Sequence, residues 1–206
     1  METNYNGIGI SHPGHASFTL THAGKTLYID PFVFSEHPKE ADAVLVTHNH
    51  YDHLGDISKI KKENTIIIGP VHCKGTTRTI SSGGVVDLVW ARVEAVPAYN
   101  INKKFHPREN GGIGYIIELN QTRIYHAGDT DNIPEMESYK ADVAFLPIGG
   151  TYTMNIPEAI EAALKLNPKI VIPMHYNYIK GTEANPEEFK KELEKRSSNT
   201  IEVRII

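Results

Sequence analysis

Thr47-His48-Asn49-His50-Tyr51-Asp52-His53-Leu54-Gly55-Asp56 places three histidines and an aspartate within six consecutive positions, His48 to His53. The run before it, Val44-Leu45-Val46, reads as the end of a buried strand. His48, His50 and Asp52 follow at the two-residue period that points side chains to one side of an extended chain, while His53 breaks the period and points elsewhere. Neutral imidazole suits zinc, iron or copper, and a carboxylate adds an oxygen ligand. So short a segment cannot wrap one ion with all four groups, so two adjacent ions fit it better than one. The plain alternative, in a chain with 11 histidines, is a polar loop with a chance cluster.

A chain of 206 residues can fold as one domain, residues 1–206, and bury about 70% of its unfolded surface. Its net charge is -4, with Lys and Arg scattered among acids, which argues against a nucleic-acid partner. Cys73 stands alone, which excludes an internal disulfide and fits a reducing compartment. The start, Met-Glu-Thr-Asn-Tyr-Asn, has neither the basic nor the apolar region of a leader, so the default expectation is a cytoplasmic protein. No segment approaches the roughly 18 apolar residues of a membrane span.

Outward from the motif, Ser17–Leu20 and Thr26–Ile29 read as a hairpin that ends at Asp30-Pro31. Ile57–Lys62 reads as a short helix, and Thr65–Ile68, Val85–Val89 and Arg92–Val96 as strands. Pro97 to Gly112 is a long polar loop of the kind that holds sites, and it carries Asn100 and His106. A second hairpin, Gly114–Leu119 and Thr122–Tyr125, delivers His126-Ala127-Gly128-Asp129-Thr130. A strand Ala141–Leu146, a helix capped by Asn155 with Glu158 three residues on, and a strand Ile170–Pro173 follow; the last delivers Met174-His175-Tyr176. Asn185-Pro186 opens another helix, and Ile201–Ile205 reads as a final strand. His12, His22 and His37 read as surface residues, and His72-Cys73 as structural, because no second Cys or His stands at zinc-finger spacing.

Thr47-His48-Asn49-His50-Tyr51-Asp52-His53 resembles the His-x-His-x-Asp-His signature of the metallo-β-lactamase superfamily, and the segments of Asp129 and His175 follow in that family's order. Gly14-His15-Ala16-Ser17-Phe18, Asp30-Pro31 and Leu146-Pro147-Ile148-Gly149-Gly150 narrow the likeness to the branch with L-ascorbate 6-phosphate lactonase and N-acyl phosphatidylethanolamine phospholipase D. The resemblance implies an α/β fold, a four-layer αββα sandwich of two mixed β-sheets flanked by helices. It also implies two divalent metal ions, zinc first, with manganese or iron fitting the same ligands. His48 and His50 would hold the first ion, Asp52, His53 and His175 the second, and Asp129 would bridge them. A water between the ions would be deprotonated near neutral pH and attack a carbonyl or phosphorus centre.

Relatives place a third first-site histidine where this chain has Asn100, and an amide oxygen is a poor zinc ligand beside imidazole. His106, in the same loop, is the expected substitute. His15 is expected at the cleft in proton transfer, substrate contact or a structural hydrogen bond, and His126 either orients a ligand or is an interior histidine. Asp52, Asp129 and His15 are thus the expected catalytic residues. The leading function is a metal-dependent hydrolase of a small ester, lactone or phosphodiester. Its rivals are a di-iron oxidoreductase of the same fold and a non-catalytic metal-binding protein. Lys103, Lys104 and Arg108 would suit an anionic small-molecule substrate if they are not simply solvated. The oligomeric state, a homo-oligomer included, is open.

Overall fold

A computed structural model describes residues 2–206. Of the polar start, Met1 lies outside the described residues. The first sheet holds β1 (Glu2–Tyr5), β2 (Ile8–Gly14), β3 (Ser17–His22), β4 (Lys25–Ile29), β5 (Ala41–Leu45), β6 (Lys61–Gly69) and β7 (Arg78–Thr79). The second holds β8 (Val85–Leu88), β9 (Ala91–Pro97), β10 (Ile113–Leu119), β11 (Thr122–His126), β12 (Val143–Pro147), β13 (Ile170–Met174) and β14 (Glu202–Val203). The two helices among the described residues are α1 (Ile156–Leu166) and α2 (Pro186–Arg196).

Each sheet keeps chain order from edge to edge, and each is antiparallel in its first half and parallel in its second. The change of direction falls at the β4–β5 pair in one sheet and at the β11–β12 pair in the other. The C-terminal ends of β4, β5, β9, β11 and β13 therefore share one edge of the sandwich, and the turn after β2 lies there too. Loops beyond the carboxyl ends of parallel strands are where open sheets leave a crevice.

Period-two alternation divides the core. In β5, Ala43 and Leu45 join the core between the sheets, while Val44 and Val46 face outward into a smaller cluster with Tyr28, Ile60, Ile67 and Cys73. Phe18 of one sheet stacks on Phe145 of the other, ring centroids 3.8 Å apart, and burying rings of this size stabilises by about 1.5–3 kcal/mol each. Both helices lie on the second sheet: α1 buries Ala159, Ile160, Ala162, Ala163 and Leu166, and α2 buries Phe189 and Leu193. The outer face of the first sheet is closed by Phe34, Leu54 and Ile57 from loops and a single helical turn.

The structure corrects several local expectations. Ile57–Lys62 is no helix: a 3-10 turn over Ile57–Lys59 ends at Ile60, and Lys61 opens β6. Asp56 caps the turn by accepting from Ser58, but Ile60 turns into the core and its carbonyl accepts from Ala41, which starts the sheet pairing instead of another helical turn. The last strand is shorter than Ile201–Ile205. The β1–β2 hairpin, closed by Asn6 and Gly7 at φ 49° and 73°, went unread although Asn-Gly is a strong hairpin signal. The capping box of α1 forms as expected, Asn155 and Glu158 exchanging hydrogen bonds with each other's backbone.

Candidate metal centre

Six segments meet at the shared edge. Two hydrogen bonds to backbone carbonyls lock the sheets together there: Ile113 N–H donates to Thr47 O at 3.2 Å, and the Tyr115 hydroxyl donates to Val46 O at 2.7 Å. Gly128, at φ 65°, permits the approach, because a Cβ there would lie 2.8 Å from Ile113 O. The chain from Thr47 to His53 thereby faces Asp129 and His175 across the sandwich.

Asp129 sits in the middle. Its carboxylate lies 3.2 Å from His53 Nε2, 3.2 Å from His175 Nε2, 3.4 Å from His106 Nε2 and 3.9 Å from His48 Nε2. On one side His50 Nδ1 is 3.0 Å from both His48 Nε2 and His106 Nε2. On the other side Asp52 Oδ2 lies 3.0 Å from His15 Nε2, 3.8 Å from His53 Nε2 and 3.9 Å from His175 Nε2. Ligand atoms within 4.8 Å of one another form the groups His48–His50–His106, His48–His53–Asp129 and His15–Asp52–His53–His175.

Whether these nitrogens suit a cation depends on which carries a proton, and their outer partners decide that. His106 Nδ1 donates to Tyr152 O at 3.2 Å, so Nε2 keeps its lone pair. His53 Nδ1 donates to Asp30 Oδ2 at 2.8 Å, which aims Nε2 at the Asp129 carboxylate. Thr47 Oγ1 donates to Asp30 Oδ2 at 2.7 Å and so accepts from His48 Nδ1 at 2.9 Å, with the same result at His48 Nε2. Asp30 also accepts from Thr47 N–H at 2.8 Å. His53 Nε2, His175 Nε2 and Asp129 Oδ1 are buried with no hydrogen-bond partner. A borderline cation satisfies such a set of imidazoles and carboxylates; a polar network does not.

The electrostatics agree in direction. Burial pushes His48 well below its ordinary value, with His53 beside it adding to the effect, and burial likewise lowers His106. For Asp129 burial opposes ionisation, but His175 and His53 outweigh it and hold the carboxyl well below the carboxylate range. His53 runs the other way: burial would lower it, yet Asp129 and Asp30 raise it well above the histidine value, so a cation binding there displaces a proton.

All seven expected metal-site residues, and His15, are brought together in this cluster. Asn100 is not turned into it: its Nδ2 donates to Phe105 O at 2.8 Å and to Tyr152 O at 2.7 Å, pinning the loop that carries His106. His15, at φ 55°, has its carbonyl held by His175 N–H at 2.7 Å and by His12 Nε2 at 3.0 Å. His12 is therefore no surface residue; it is buried, stacked on Phe18 with centroids 4.5 Å apart, and its ring nitrogens lie against Ile206 O and His15 O. His22 is partly exposed and His37 exposed, as expected. His126 is an interior histidine, donating from Nε2 to Ala16 O at 2.9 Å and accepting Gly128 N–H at Nδ1. His72 is exposed, and burial, with Asp30 adding, pushes the Cys73 thiol up to about 12, which keeps it protonated. Sequence reasoning missed Asp30 as the anchor of His53 and Thr47. Its signal is the Asp-Pro pair directly after a strand, which by itself marks only a hairpin end.

Comparison with known proteins places relatives beside this geometry. Residues 9–175 match the family described as the beta-lactamase superfamily domain. The chain is 40% identical to a UPF0173 metal-dependent hydrolase of Nanoarchaeum equitans, over 93% of this chain and 94% of that one. It is 36% identical to one of Pyrococcus furiosus, over 89% and 91%. Among solved structures, a metal-dependent hydrolase of Parabacteroides distasonis superposes with a TM-score of 0.84 at 36% identity, covering 96% of this chain and 92% of that one. Igni18, a metallo hydrolase of Ignicoccus hospitalis, superposes with a TM-score of 0.78 at 29% identity, covering 97% and 94%.

Proposed function

Because the chain belongs to the UPF0173 metal-dependent hydrolases of the metallo-β-lactamase superfamily, we propose that the cluster around Asp129 is its active site and that it hydrolyses a small ester, lactone or phosphodiester. In this reading His48, His50 and His106 would hold one divalent cation, Asp52, His53 and His175 would hold a second, and Asp129 would serve both. Zinc suits the donors best, with manganese or iron(II) next. When bound, the pair supplies a water made nucleophilic at neutral pH and polarises the bond to be cleaved.

The chain's own residues do the rest. Asp30 fixes the His53 tautomer and ring plane, and Thr47 relays the same carboxylate to His48. His15 Nε2 donates to Asp52 Oδ2 at 3.0 Å, which orients that carboxylate beside the centre. The observation that carries this reading is that outer partners aim Nε2 of His48, His53 and His106 at the buried Asp129 carboxylate.

Metal analysis after stripping and reloading, then turnover of a chromogenic phosphodiester and a panel of esters and lactones with and without chelator, tests it. Two equivalents of metal and chelator-sensitive turnover are expected. Two bound metals with no turnover of any class would favour a non-catalytic metal-binding protein.

A further inference from the structure

The basic residues of the long loop do not face the site. Lys103 is tied to Asp131 and, at 3.1 Å, to Glu158. Arg108 pairs with Glu135 at 2.9 Å and lies over the Tyr99 ring, 4.8 Å from its centroid. Lys104 and Lys180 are exposed and do not line the cleft. Beyond the ligand cluster itself, the cleft of about 250 Å³ is walled by Tyr51, Phe105, Tyr152 and Ile179.

These walls form two aromatic flanks. On the His106 side Phe105 meets Tyr152 edge to face, centroids 4.9 Å apart. On the Asp52 side Tyr51 meets Phe32 edge to face at 5.9 Å, and Phe32 meets Tyr178 at 6.0 Å. Tyr51 is 70% exposed, Tyr178 52% and Phe105 41%, so large apolar surface stands in water around a centre of ionisable groups. Apolar rims of this kind mark contact sites. The volume falls below the roughly 300–1,000 Å³ of sites for drug-sized ligands. Along these flanks no lysine or arginine is placed to pair with a carboxylate on the substrate's arm.

Resting on the hydrolase reading above, we propose that the cleft selects a small uncharged carbonyl compound, an ester, thioester or lactone, with one aryl or short alkyl arm seated between these flanks. In the reaction the acyl C–O or C–S bond breaks and a C–O bond forms from water. One water proton goes to the leaving alkoxide or thiolate, and the other is released with the carboxylate product.

The test uses the full metal-loaded chain with p-nitrophenyl acetate, butyrate and hexanoate, the anionic p-nitrophenyl hemiglutarate, and bis(p-nitrophenyl) phosphate. Binding of the unreactive anilides of acetic, butyric and hexanoic acid, followed by ligand-observed NMR, gives a readout independent of turnover. The expected result is that kcat/KM and anilide affinity rise about fourfold per methylene until the cleft is full, as burial of a CH₂ requires. The hemiglutarate should fall at least tenfold below the butyrate. Phe105→Ala and, on the opposite flank, Tyr51→Ala should each flatten the dependence on chain length. Rates and affinities indifferent to arm length, or a preference for the hemiglutarate, would overturn the proposal. Turnover confined to the phosphodiester would overturn it too while leaving the hydrolase reading intact. Length-dependent anilide binding with no turnover of any ester would do the reverse, sustaining the cleft's selectivity and removing the hydrolase reading.

Discussion

Asn100 and His106 hang from one carbonyl: Tyr152 O accepts from Asn100 Nδ2 at 2.7 Å and from His106 Nδ1 at 3.2 Å. Asn100 thus stands behind the imidazole that a ligand would see, and the loop from Asn100 to His106 closes on itself through Asn100 N–H to His106 O at 2.8 Å. In the proposed first site, His106→Ala should remove one equivalent of metal. Asn100→Ala should keep two but weaken the first site roughly 10- to 100-fold, the usual range for an outer partner. Elemental analysis and competition with a chromophoric chelator measure both. Full first-site affinity in His106→Ala would sink the assignment.

Asp30 is fully buried and receives Thr47 N–H, Thr47 Oγ1–H and His53 Nδ1–H. Asp30→Asn keeps the shape but turns one acceptor into a donor facing donors. The folded state should lose about 2–4 kcal/mol, since charge-assisted bonds of about 1.5–3 kcal/mol are broken and donors are left unmatched. Metal at the His53 side should weaken in parallel. Urea unfolding of the metal-free protein separates the two effects, and an unchanged midpoint would contradict the buried network.

His15 adopts φ 55°, a region Asn tolerates better than other substitutes. His15→Asn should therefore fold and retain both metals while losing the hydrogen held against Asp52 Oδ2. A fall in kcat of about 10- to 100-fold with KM little changed is expected for a group that orients Asp52. A change in KM alone would make His15 a substrate contact.

Acid should destabilise the metal-free chain. His12, His15, His48, His106 and His126 all titrate below the ordinary value, with burial the leading cause in each. The unfolded chain then binds more protons than the folded one from about pH 6.5 down to the depressed folded values, so stability falls as pH falls through that window. His53 opposes this: burial lowers it but Asp129 and Asp30 raise it further, and its contribution, complete below about pH 6.5, is lost as pH rises through the raised value. Five groups against one give a Tm lower near pH 5 than near pH 7, measured by calorimetry after chelation. A Tm that rises on acidification would show that His53 dominates.

Gly128 is the point where the sheets touch, with Ile113 O 2.8 Å and Thr47 Cβ 3.3 Å from where a Cβ would stand, at φ 65°. Gly128→Ala should cost about 1–3 kcal/mol in backbone strain alone and shift Asp129, the next residue. Thermal denaturation, with metal affinity as the second readout, checks it; a neutral result would mean the edge is looser than drawn.

The sequence by itself determined the parts whose physics is local. The crowding of His48, His50, Asp52 and His53 after a buried strand announced ligands, though the two-residue period does not hold, because a turn at His50–His53 carries Asp52 to the side of His53; Asn155 with Glu158 announced a helix start, and Asn120-Gln121 a hairpin. Even the weakness at Asn100 was legible, because ligand chemistry belongs to a residue type. Where reading failed, a distant partner decided: Ile57–Lys62 has a helical pattern, but Ile60 is captured by Ala41 and the outer core. Only the tertiary structure made Asp30 the anchor of His53, buried His12 beneath His15, set His126 apart from the cluster, and turned Lys103 and Arg108 away from the cleft. Imidazole tautomers and charge pairings depend on which groups lie within about 3 Å of one another. In this fold those groups come from strands in two sheets, separated by as many as 160 residues of chain between His15 and His175, and sequence spacing carries no record of that distance.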